Sequence, residues 1–541
     1  MGAPPIKTPS LLGRIGGALS RTLLPANRSK VGANHGGVSG YMRGEMSPVF
    51  RSWFPSIRDP SDEVRAAWTR AAGRAIDVIH NSGWIAGAID QAVANTVGAG
   101  LRPRLMPDAE ALGWTEDEAT DWAARVESRF LGLWANNPYE CDIEGRRTFG
   151  QMQAAGFRSW FGPGEIVSES AWKRRPGATY GTKVRMIPAH RLSQRTTYPR
   201  LIQGIQMDAD WMPTSYWFRR RYGEVGAEQE IEIEARDRFG RQRIVHVFDG
   251  VPGQYRGISP LVAALETARR FDQLSGATLT SNLIRAVFAA TVKSSEPTEE
   301  VLKGLLTPQE LARMQSEDMS VFDAWAAMNE GWYKSTQIDL GIAGRFAHLF
   351  PGQELEFHSA QNSASDFKDM ALFLLRELLR CLGLTYESGT GDYTGATYSS
   401  VRMAVNEIFQ ITLYRRRNIV APFSRPHFEA WLEEDIQAGN TPFPGGHLGF
   451  LEKRNAACRM EWVGTPKPEA DNLKTAKAHE TYRNMGVMTD EAICADLGQD
   501  VHDVYKQRAR EMKLRARLGL PENGPLPTPD PVADKLVVQE E

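Results

Sequence analysis

Residues 363–402 read SASDFKDMALFLLRELLRCLGLTYESGTGDYTGATYSSVR, a leucine-rich segment that runs into a glycine-rich one. The SASD start at 363–366 is typical of a capped helix, and Gly383 is expected to end that helix. Apolar residues at helical spacing predict its buried stripe: Phe367, Met370, Ala371, Leu374, Leu378 and Cys381. A second helix is predicted over 398–419, ending at Arg415–Arg417, where cations suit a helix C-terminus. Two helices therefore flank a glycine-rich connection, whose purpose has to be decided from its chemistry.

The connection has the spacing G-x-G-x-x-x-G at Gly389, Gly391 and Gly395, close to that of loops that bind phosphate. Such loops follow a buried strand, whereas this one follows a helix and lacks the Lys-Ser/Thr pair after its last glycine. The carboxylates of Glu387 and Asp392 would also repel phosphate. The composition favours a mobile surface loop, and a nucleotide-dependent enzyme is the weaker alternative.

The bulk composition argues for several domains and against most chemistries. A chain of 541 residues is too long for one compact core, and its net charge of −2 gives no sign of wholesale nucleic-acid binding. The four cysteines lie far apart without metal-ligand spacing, which favours a reducing compartment and no zinc site or disulfide framework. No catalytic triad, metal-binding motif or membrane-spanning run is present. We therefore predict no catalytic residues, no metal, no cofactor and no membrane contact.

Local patterns divide the chain. Residues 1–44 carry six Lys/Arg and no Asp/Glu, which predicts a flexible basic arm. Residues 165–250 change to a period of two, in the predicted strands EIVSESAWK, TKVRMI, TSYWFRRR, EIEIEARDR and IVHVF. Ser259-Pro260 then opens a long predicted helix, with Ser as the cap and Pro in the first turn. Residues 296–356 hold eleven Asp/Glu against four Lys/Arg, either a solvated surface or a docking surface for a basic partner.

Two basic clusters have alternative interpretations. WFRRRY at 217–222 mixes aromatic residues with arginines, as some nucleic-acid surfaces do, but it equally fits a charged strand edge. YKQRAREMKLRAR at 505–517 has six cations and one acid, and it is either a solvated helix face or a helix that faces DNA. Further helices are predicted near 466–484, 489–497 and 501–518.

Four blocks, in this order, resemble the portal proteins of tailed bacteriophages, in the branch typified by phage lambda. The first, at 74–103, ends in a V-G-x-G-L-x-P pattern, and the second, at 202–218, is similar to a G-I-x-x-D…P…Y strand pair. The third, at 247–274, contains P-G-Q-x-R-G-x-S. The fourth, at 350–407, has the leucine-rich helix, GLTYE, the glycine-rich loop and YSSxR. The resemblance covers roughly residues 60–515.

The resemblance implies an α+β portal fold: mostly helical, with a strand-rich wing, long stem helices, a small α/β clip and a helical C-terminal crown. On this chain the implied divisions are a basic arm (1–46), wing (47–258), first stem helix (259–287), clip (288–358), second stem helix (361–383), tunnel loop (384–398), wing helix with its return segment (398–464), crown (465–520) and disordered tail (521–541). The clip of this chain looks longer than a minimal clip, so its boundaries are approximate.

The function implied by the resemblance is a ring of twelve subunits at one capsid vertex, through which double-stranded DNA is packaged and ejected. Its implied partners are the large terminase subunit, head–tail connector or neck proteins, and the major capsid protein or scaffold. The ring would assemble in the cytoplasm of the host bacterium and become part of the virion. A different head–tail morphogenesis component is the alternative within the same biology, although adaptors are typically much shorter.

Three sets of site residues follow from the resemblance. The first set is the part of the tunnel loop expected to touch DNA: Glu387, Ser388, Gly389, Thr390, Gly391, Asp392, Tyr393, Thr394 and Gly395. The second set comprises cations expected at the channel or at subunit contacts: Arg269, Arg270, Arg285 and Arg402. The third set comprises acids of the clip expected to dock terminase or adaptor: Glu310, Glu317, Asp318, Asp323 and Glu330. Because strong DNA binding comes from Lys and Arg, a loop without them should let DNA slide, and its glycines are expected to supply mobility.

Overall fold

The computed structural model describes residues 55–219, 229–288, 364–467, 472–499 and 501–519, with residue 309 as an isolated position. The chain divides into two units, residues 1–59 and 60–541, and every element below belongs to the second unit. The predicted basic arm, nearly all of the predicted clip and the tail after residue 520 lie outside the described residues.

The N-terminal part of the second unit is mostly helical. Thr115 and Thr148 each form a capping box at the start of a helix, with Glu118 and Gln151 as the reciprocal partners. The elements are α1 (Pro60–Asn81), α2 (Gly83–Thr96), β1 (Arg102–Leu105), α3 (Ala109–Leu112), α4 (Glu116–Arg129, continued by a π-helical turn to Ala135), α5 (Pro138–Cys141) and α6 (Phe149–Phe161).

The strand-rich region forms two antiparallel sheets, which confirms the strands predicted from the period-two patterns. One sheet has the order β3-β2-β8 and the other the order β4-β5-β6-β7. The strands are β2 (Glu165–Trp172), β3 (Thr182–Ile187), β4 (Leu201–Ile202), β5 (Ile205–Met207), β6 (Pro213–Arg219), β7 (Glu230–Glu234) and β8 (Ile244–Phe248). β7 does not show the alternating burial that its EIEIE sequence predicts, because Ile231 is 41% exposed, whereas β2 is buried along nearly its whole length.

The C-terminal part is again helical. A short 3₁₀ turn (Pro260–Ala264) opens α7, and β9 pairs antiparallel with β1, which joins the two ends of the second unit. The elements are α7 (Leu265–Phe288), α8 (Ala364–Leu382), α9 (Tyr386–Thr390), α10 (Tyr398–Arg415), α11 (Ala421–Gln437), α12 (Gly446–Ala457), β9 (Met460–Val463), α13 (Asn472–Asn484), α14 (Asp490–Asp496) and α15 (Val501–Leu518). The architecture is therefore α+β and mostly helical.

The predicted end of the helix after the glycine-rich connection is wrong. The backbone does not leave the helical path at Arg415–Arg417. It passes through a π-helical turn (Arg416–Val420) and continues as α11 to Gln437. The reason is tertiary packing, because Ile419, Val420 and Phe423 are fully buried and hold the chain helical across the basic residues.

Two hydrophobic cores support the fold. The larger one collects α2, α4, α6, β2, α8 and α11, and its densest part is an aromatic cluster around Phe130, whose ring centroid lies 4.9 Å from Phe428 and 5.2 Å from Trp431. The smaller one lies between α1 and the β4-β5-β6-β7 sheet, with Trp68, Leu192 and Ile205 as buried members. Within the described residues, no helix is long and apolar enough to cross a membrane.

Candidate functional site

The linker before α7 is fixed by a buried arginine. Arg256 is fully buried and its guanidinium bonds both carboxylate oxygens of Glu165, the first residue of β2, as well as backbone carbonyls that include those of Ser193 (3.3 Å) and Gln203 (3.2 Å). Burial alone would raise the pKa of Glu165, but the charge of Arg256 and the hydrogen bond from His246 lower it to about 2. The P-G-Q-x-R-G-x-S segment therefore anchors α7 to the sheet.

Two further residues of that segment have defined contacts. A Cβ on Gly257 would lie 2.8 Å from the Cβ of Phe248, so no side chain fits there. The hydroxyl of Ser259 donates to the carbonyl of Phe161 (2.5 Å) and accepts from the backbone N–H of Leu261 (3.1 Å). Ser259 is thus the predicted cap, although it caps a 3₁₀ turn ahead of the α-helix.

Helices α7 and α8 pack against each other, and the hydroxyl of Thr267 on α7 donates to Glu377 on α8 (3.0 Å). The predicted stripe of α8 is confirmed at Leu374 and Leu378, which are buried, and at Ala371 and Cys381, which pack against the core. Met370 is the exception at 52% exposed, and the buried face also includes Leu375, Leu379 and Leu382. The buried face of α8 is therefore wider than the predicted stripe, because neighbouring elements cover the adjacent leucines as well. Large apolar side chains remain exposed on both helices: Leu279, Leu283, Met370 and Phe373.

The predicted tunnel loop is partly helical, which corrects the expectation of an open loop. Gly383 ends α8 with φ of +70°, Thr385 caps the short helix α9 (Tyr386–Thr390), and Gly391 ends it with φ of +71°. A capping box at Thr397 and Ser400 then starts α10. The exposed part of the connection is therefore residues 391–400, whereas residues 384–390 are buried or half-buried.

The three glycines have structural tasks that were not predicted. A Cβ on Gly389 would lie 2.8 Å from Cδ1 and 3.0 Å from Cγ of the buried Leu379, so glycine lets α9 lie directly on α8. Gly391 and Gly395 have φ of +71° and +78° with no neighbour within 4 Å of an added Cβ, so they serve turns. Mobility does not explain Gly389, because close packing requires it.

Several backbone N–H groups of this segment are already used, including those of two of its three glycines. Gly389 donates to the carbonyl of Thr385 (2.9 Å), Gly391 to that of Glu387 (2.9 Å), and Asp392 to the hydroxyl of Thr390 (3.1 Å). A phosphate cradle needs unopposed N–H groups, and those of Gly389, Gly391 and Asp392 are not available for it. The geometry thus disfavours the nucleotide-binding alternative at Gly389–Gly395.

Asp392 is held in place by its neighbours. Its carboxylate accepts from the backbone N–H of Thr394 (2.9 Å) and from the hydroxyl of Tyr386 (2.9 Å). Hydrogen bonds from Thr394, and then from Tyr386, lower the pKa of Asp392, so the segment keeps a negative charge at neutral pH. The Tyr386 ring also lies 5.6 Å from the guanidinium of Arg376 on α8.

Arg415 and Arg416 act on helix ends, but on those of other helices. Arg415 donates to the carbonyl of Leu382 at the end of α8 (2.7 Å). Arg416 donates to the carbonyls of Thr96 (2.7 Å) and Asn95 (3.0 Å) at the end of α2 and to that of Thr465 (2.8 Å). Burial lowers the pKa of both side chains to about 10, so both stay charged. The run of basic residues correctly indicated an interaction with a helix end. Only the fold shows that the helix ends belong to α8 and α2.

A second unpredicted cluster holds α11 against the first sheet. His427 is fully buried between the hydroxyls of Ser168 (2.9 Å) and Ser170 (2.7 Å) on β2, and burial lowers its pKa to about 3. Glu434 accepts from the backbone N–H groups of Gly181 and Thr182, at 2.7 and 2.8 Å. The Ser–His contacts lack solvent access, so they are structural.

A groove of about 280 Å³ lies between α2, α9 and α10. One face of α10 lines it through Val401, Val405, Ile408 and Thr412, together with Glu387 and Ser388 of the candidate DNA-contacting set. Tyr393 borders the same groove and is 55% exposed.

The predicted cations are not brought together. Arg269 and Arg270 are exposed on α7, and Arg270 pairs with Glu266 at 2.5 Å. Arg402 is exposed in the second turn of α10, and Arg285 lies on α7, where its side chain is outside the described residues. The five predicted clip acids, Glu310, Glu317, Asp318, Asp323 and Glu330, also lie outside the described residues. In the part of the chain that the structure describes, no group of His, Cys, Asp and Glu could hold a metal ion.

The chain matches a known protein family over most of its length. A family model described as "Phage portal protein, lambda family" matches residues 47–416, which is most of the chain. The chain belongs to the lambda family of phage portal proteins. This confirms the resemblance carried by the four sequence blocks.

The portal-family chain also has relatives of nearly equal length. It is 28% identical to portal protein B of Escherichia phage lambda over 496 residues, which cover 90% of both chains. It is 26% identical to the portal protein of Escherichia phage N15 over 521 residues, which cover 95% of both. Solved chains from a gene transfer agent virion and its neck share 14% identity, cover 82% of this chain and 94% of their own, and have TM-scores of 0.38 and 0.40, too low to assign the fold.

Proposed function

We propose that this portal protein assembles into a closed ring of twelve copies at one capsid vertex, and that DNA enters and leaves through the channel of the ring. The observation that carries the proposal is the family match over residues 47–416. The exposed apolar side chains of Leu279 (61%), Leu283 (57%) and Phe373 (63%) support it, because α7 and α8 leave them open to water in a single chain. A neighbouring copy in a ring would cover them.

The segment 384–398 is the part proposed to touch DNA inside the channel. It contains no Lys or Arg and keeps Asp392 charged. DNA affinity comes from cations that neutralise phosphates, so this segment would contact DNA but bind it only weakly. Its exposed stretch, 391–400, presents Tyr393 and Tyr398, which are 55% and 50% exposed.

The remaining candidate residues receive roles that depend on the ring. Exposed Arg269, Arg270 and Arg402, with Arg285, serve either the channel wall or the contacts between copies. The acidic segment 288–358 docks the large terminase subunit and later the neck or connector proteins, because an acidic surface suits basic partners. The major capsid protein or scaffold contacts the ring where it sits in the vertex. The protein performs no catalysis of its own in this proposal.

Electron microscopy and mass measurement of the purified full chain test the ring. We expect particles with a central hole and a mass of about 720 kDa, since one chain has a mass of 60.3 kDa. Phe373→Glu should prevent assembly, because a charge would be placed in the covered surface, whereas Tyr482→Glu on α13 is a control of similar exposure outside α7 and α8. A stable monomer of wild type under varied salt would contradict the proposal.

Packaging in vitro tests the channel segment separately. Deletion of residues 391–395 should leave ring assembly intact, because these residues are exposed or half-exposed and contribute no core side chain. The same deletion should reduce the amount of DNA packaged. Unimpaired packaging by rings with this deletion would refute the role of the segment while leaving the ring itself standing.

A further inference from the structure

Two neighbouring surface loops bring unpaired cations and an exposed tryptophan together at one end of the first sheet. The loop 142–147 follows α5, and the turn 173–181 connects β2 to β3. We name the basic hairpin patch by its five exposed side chains: Arg146, Arg147, Trp172, Lys173 and Arg174. None of the functional roles described above uses this patch.

The two loops are held against each other by Arg175. Its guanidinium donates to the carbonyls of Tyr139 (3.0 Å) and Asp142 (2.9 Å) and to that of Ile143. The carboxylate of Asp142 in turn accepts from the backbone N–H groups of Arg146 (2.9 Å) and Arg147 (3.0 Å). The loop positions are therefore fixed by hydrogen bonds before any ligand arrives, which lowers the entropic cost of binding.

The charges of the patch are available. Arg146, Lys173 and Arg174 form no side-chain hydrogen bond or ion pair with any residue that the structure describes, and Arg147 has only a 3.4 Å contact with exposed Glu144. The nearby carboxylates are already engaged: Glu140 pairs with the buried Lys183 at 3.2 Å, and Asp142 accepts the backbone bonds. Surface cations without acidic partners raise the local concentration of a polyanion.

Trp172 adds an aromatic surface to the patch. It is 55% exposed at the end of β2, and it lies on the backbone of Gly181, where a Cβ would be 2.8 Å from Cε2 of the indole ring. The guanidinium of Arg174 lies 5.6 Å from the ring centroid. A large aromatic side chain in water beside free cations is the combination found where single-stranded nucleic acid stacks and is neutralised.

The patch lies at the opposite end of β2 from the linker that precedes α7. β2 begins at Glu165, which is bonded to Arg256 just before α7, and ends seven residues later at Trp172. At the usual rise of a strand, Trp172 lies roughly 23 Å from Glu165. The patch shares no residue with the segment 384–398 proposed for the channel.

We propose that the basic hairpin patch binds DNA: Arg146, Lys173 and Arg174 contact phosphates, and Trp172 stacks on a base wherever a strand is unpaired. The patch gives this protein a cationic surface that binds DNA tightly, whereas the segment 384–398 has no Lys or Arg and would bind DNA weakly. The proposal does not depend on the ring, and its test can be made on any oligomeric state.

Fluorescence anisotropy of the full chain with labelled single-stranded and duplex DNA measures the contact. Arg146→Gln/Lys173→Gln/Arg174→Gln should reduce the salt dependence of duplex affinity, log K against log salt, by about 2.7 and weaken binding at low salt. Trp172→Ala should weaken single-stranded DNA roughly 5- to 100-fold and duplex DNA little, because duplex bases are already stacked. A matched control, Arg65→Gln/Arg158→Gln/Arg425→Gln, removes three exposed, paired cations elsewhere and should change little.

A photocrosslinking residue at position 173 gives a second measurement that does not depend on other DNA-binding surfaces. It should crosslink to labelled DNA, whereas the same residue at position 158 should not. The proposal is overturned if the control triple weakens binding as much as the patch triple, or if position 173 gives no crosslink. It is also overturned if the patch triple changes the oligomeric state, which would make the patch a subunit contact. Displacement of crosslinked DNA by polyglutamate at equal charge concentration would assign the patch to an acidic protein instead.

Discussion

Gly389→Ala distinguishes a packed connection from a mobile one, because the two interpretations predict opposite signs. If Gly389 supplies mobility, alanine should stabilise α9 by up to about 1 kcal/mol through its higher helix propensity. If Gly389 is there because α9 lies on α8, the new Cβ meets Leu379, whose Cδ1 would be 2.8 Å away. Real Cβ contacts at that distance do not occur, so α9 or Leu379 has to shift.

The expected magnitude follows from the burial of Leu379, which is 3% exposed and has little room to move. Overpacking of a core by one methyl-sized group costs about 1–3 kcal/mol, which exceeds the propensity gain of about 1 kcal/mol. Gly389→Ala should therefore lower the opening free energy of α9 by up to about 2 kcal/mol. The suitable assay is amide hydrogen exchange with mass spectrometry over residues 385–391, because it reports local opening.

The same substitution in a Leu379→Ala chain tests whether the cost of Gly389→Ala comes from contact with Leu379. In a Leu379→Ala chain the obstructing side chain is gone, so adding Gly389→Ala should be neutral or stabilise α9 by up to about 1 kcal/mol. Gly391→Ala is the control: its φ is +71° and no atom lies within 4 Å, so its cost of about 1–2 kcal/mol should be the same in both backgrounds. Increased protection of α9 in Gly389→Ala with Leu379 present would refute the packing argument.

Three further predictions concern the buried polar contacts, each read by urea unfolding of the purified chain. Arg256→Met should cost about 3–5 kcal/mol because it strands the buried carboxylate of Glu165, and adding Glu165→Met should recover much of that loss. Arg416→Met should cost roughly 1.5–3 kcal/mol by leaving three carbonyls without a donor, and Arg416→Lys should recover only part, since one ammonium cannot reproduce the planar fork. His427, with its pKa lowered to about 3 by burial, takes up a proton in the unfolded chain below pH 6.5 but not in the folded chain. Stability should therefore fall by about 2 kcal/mol between pH 7 and 5, and His427→Gln should abolish that part of the pH dependence.

Much of the local structure could be predicted from the sequence because it depends on near neighbours. The alternation in IVHVF and EIEIE, the Ser259-Pro260 start and the glycine after α8 each act within a few residues. β1 and β9 were not predicted, because each has four residues and gains its pairing from a partner more than 350 positions away. Short strands of this kind have no period long enough to recognise.

The candidate site was predicted less completely, for the same reason. The Arg415–Arg417 run indicated a helix end, but the helix ends that receive Arg415 and Arg416 belong to α8 and α2. The Gly389 signal was assigned to mobility, because nothing in its own segment reveals that Leu379 lies against it. A glycine required by a distant contact has the same sequence signature as a glycine that serves a flexible loop.

These contacts limit how the connection between α8 and α10 can move. Its first half is fixed by Gly389 on Leu379, and its second half enters a helical path that continues to Gln437. Arg415 ties that path to the end of α8, and Arg416 ties it to the end of α2 one residue later. A force applied to the exposed stretch 391–400 therefore either deforms the two glycine turns at Gly391 and Gly395 or moves α8 and α10 together. Deformation of the glycine turns requires less force than joint movement of α8 and α10, because the arginine contacts resist that movement. In the proposed ring, deformation of these turns would let each copy adjust independently to DNA in the channel.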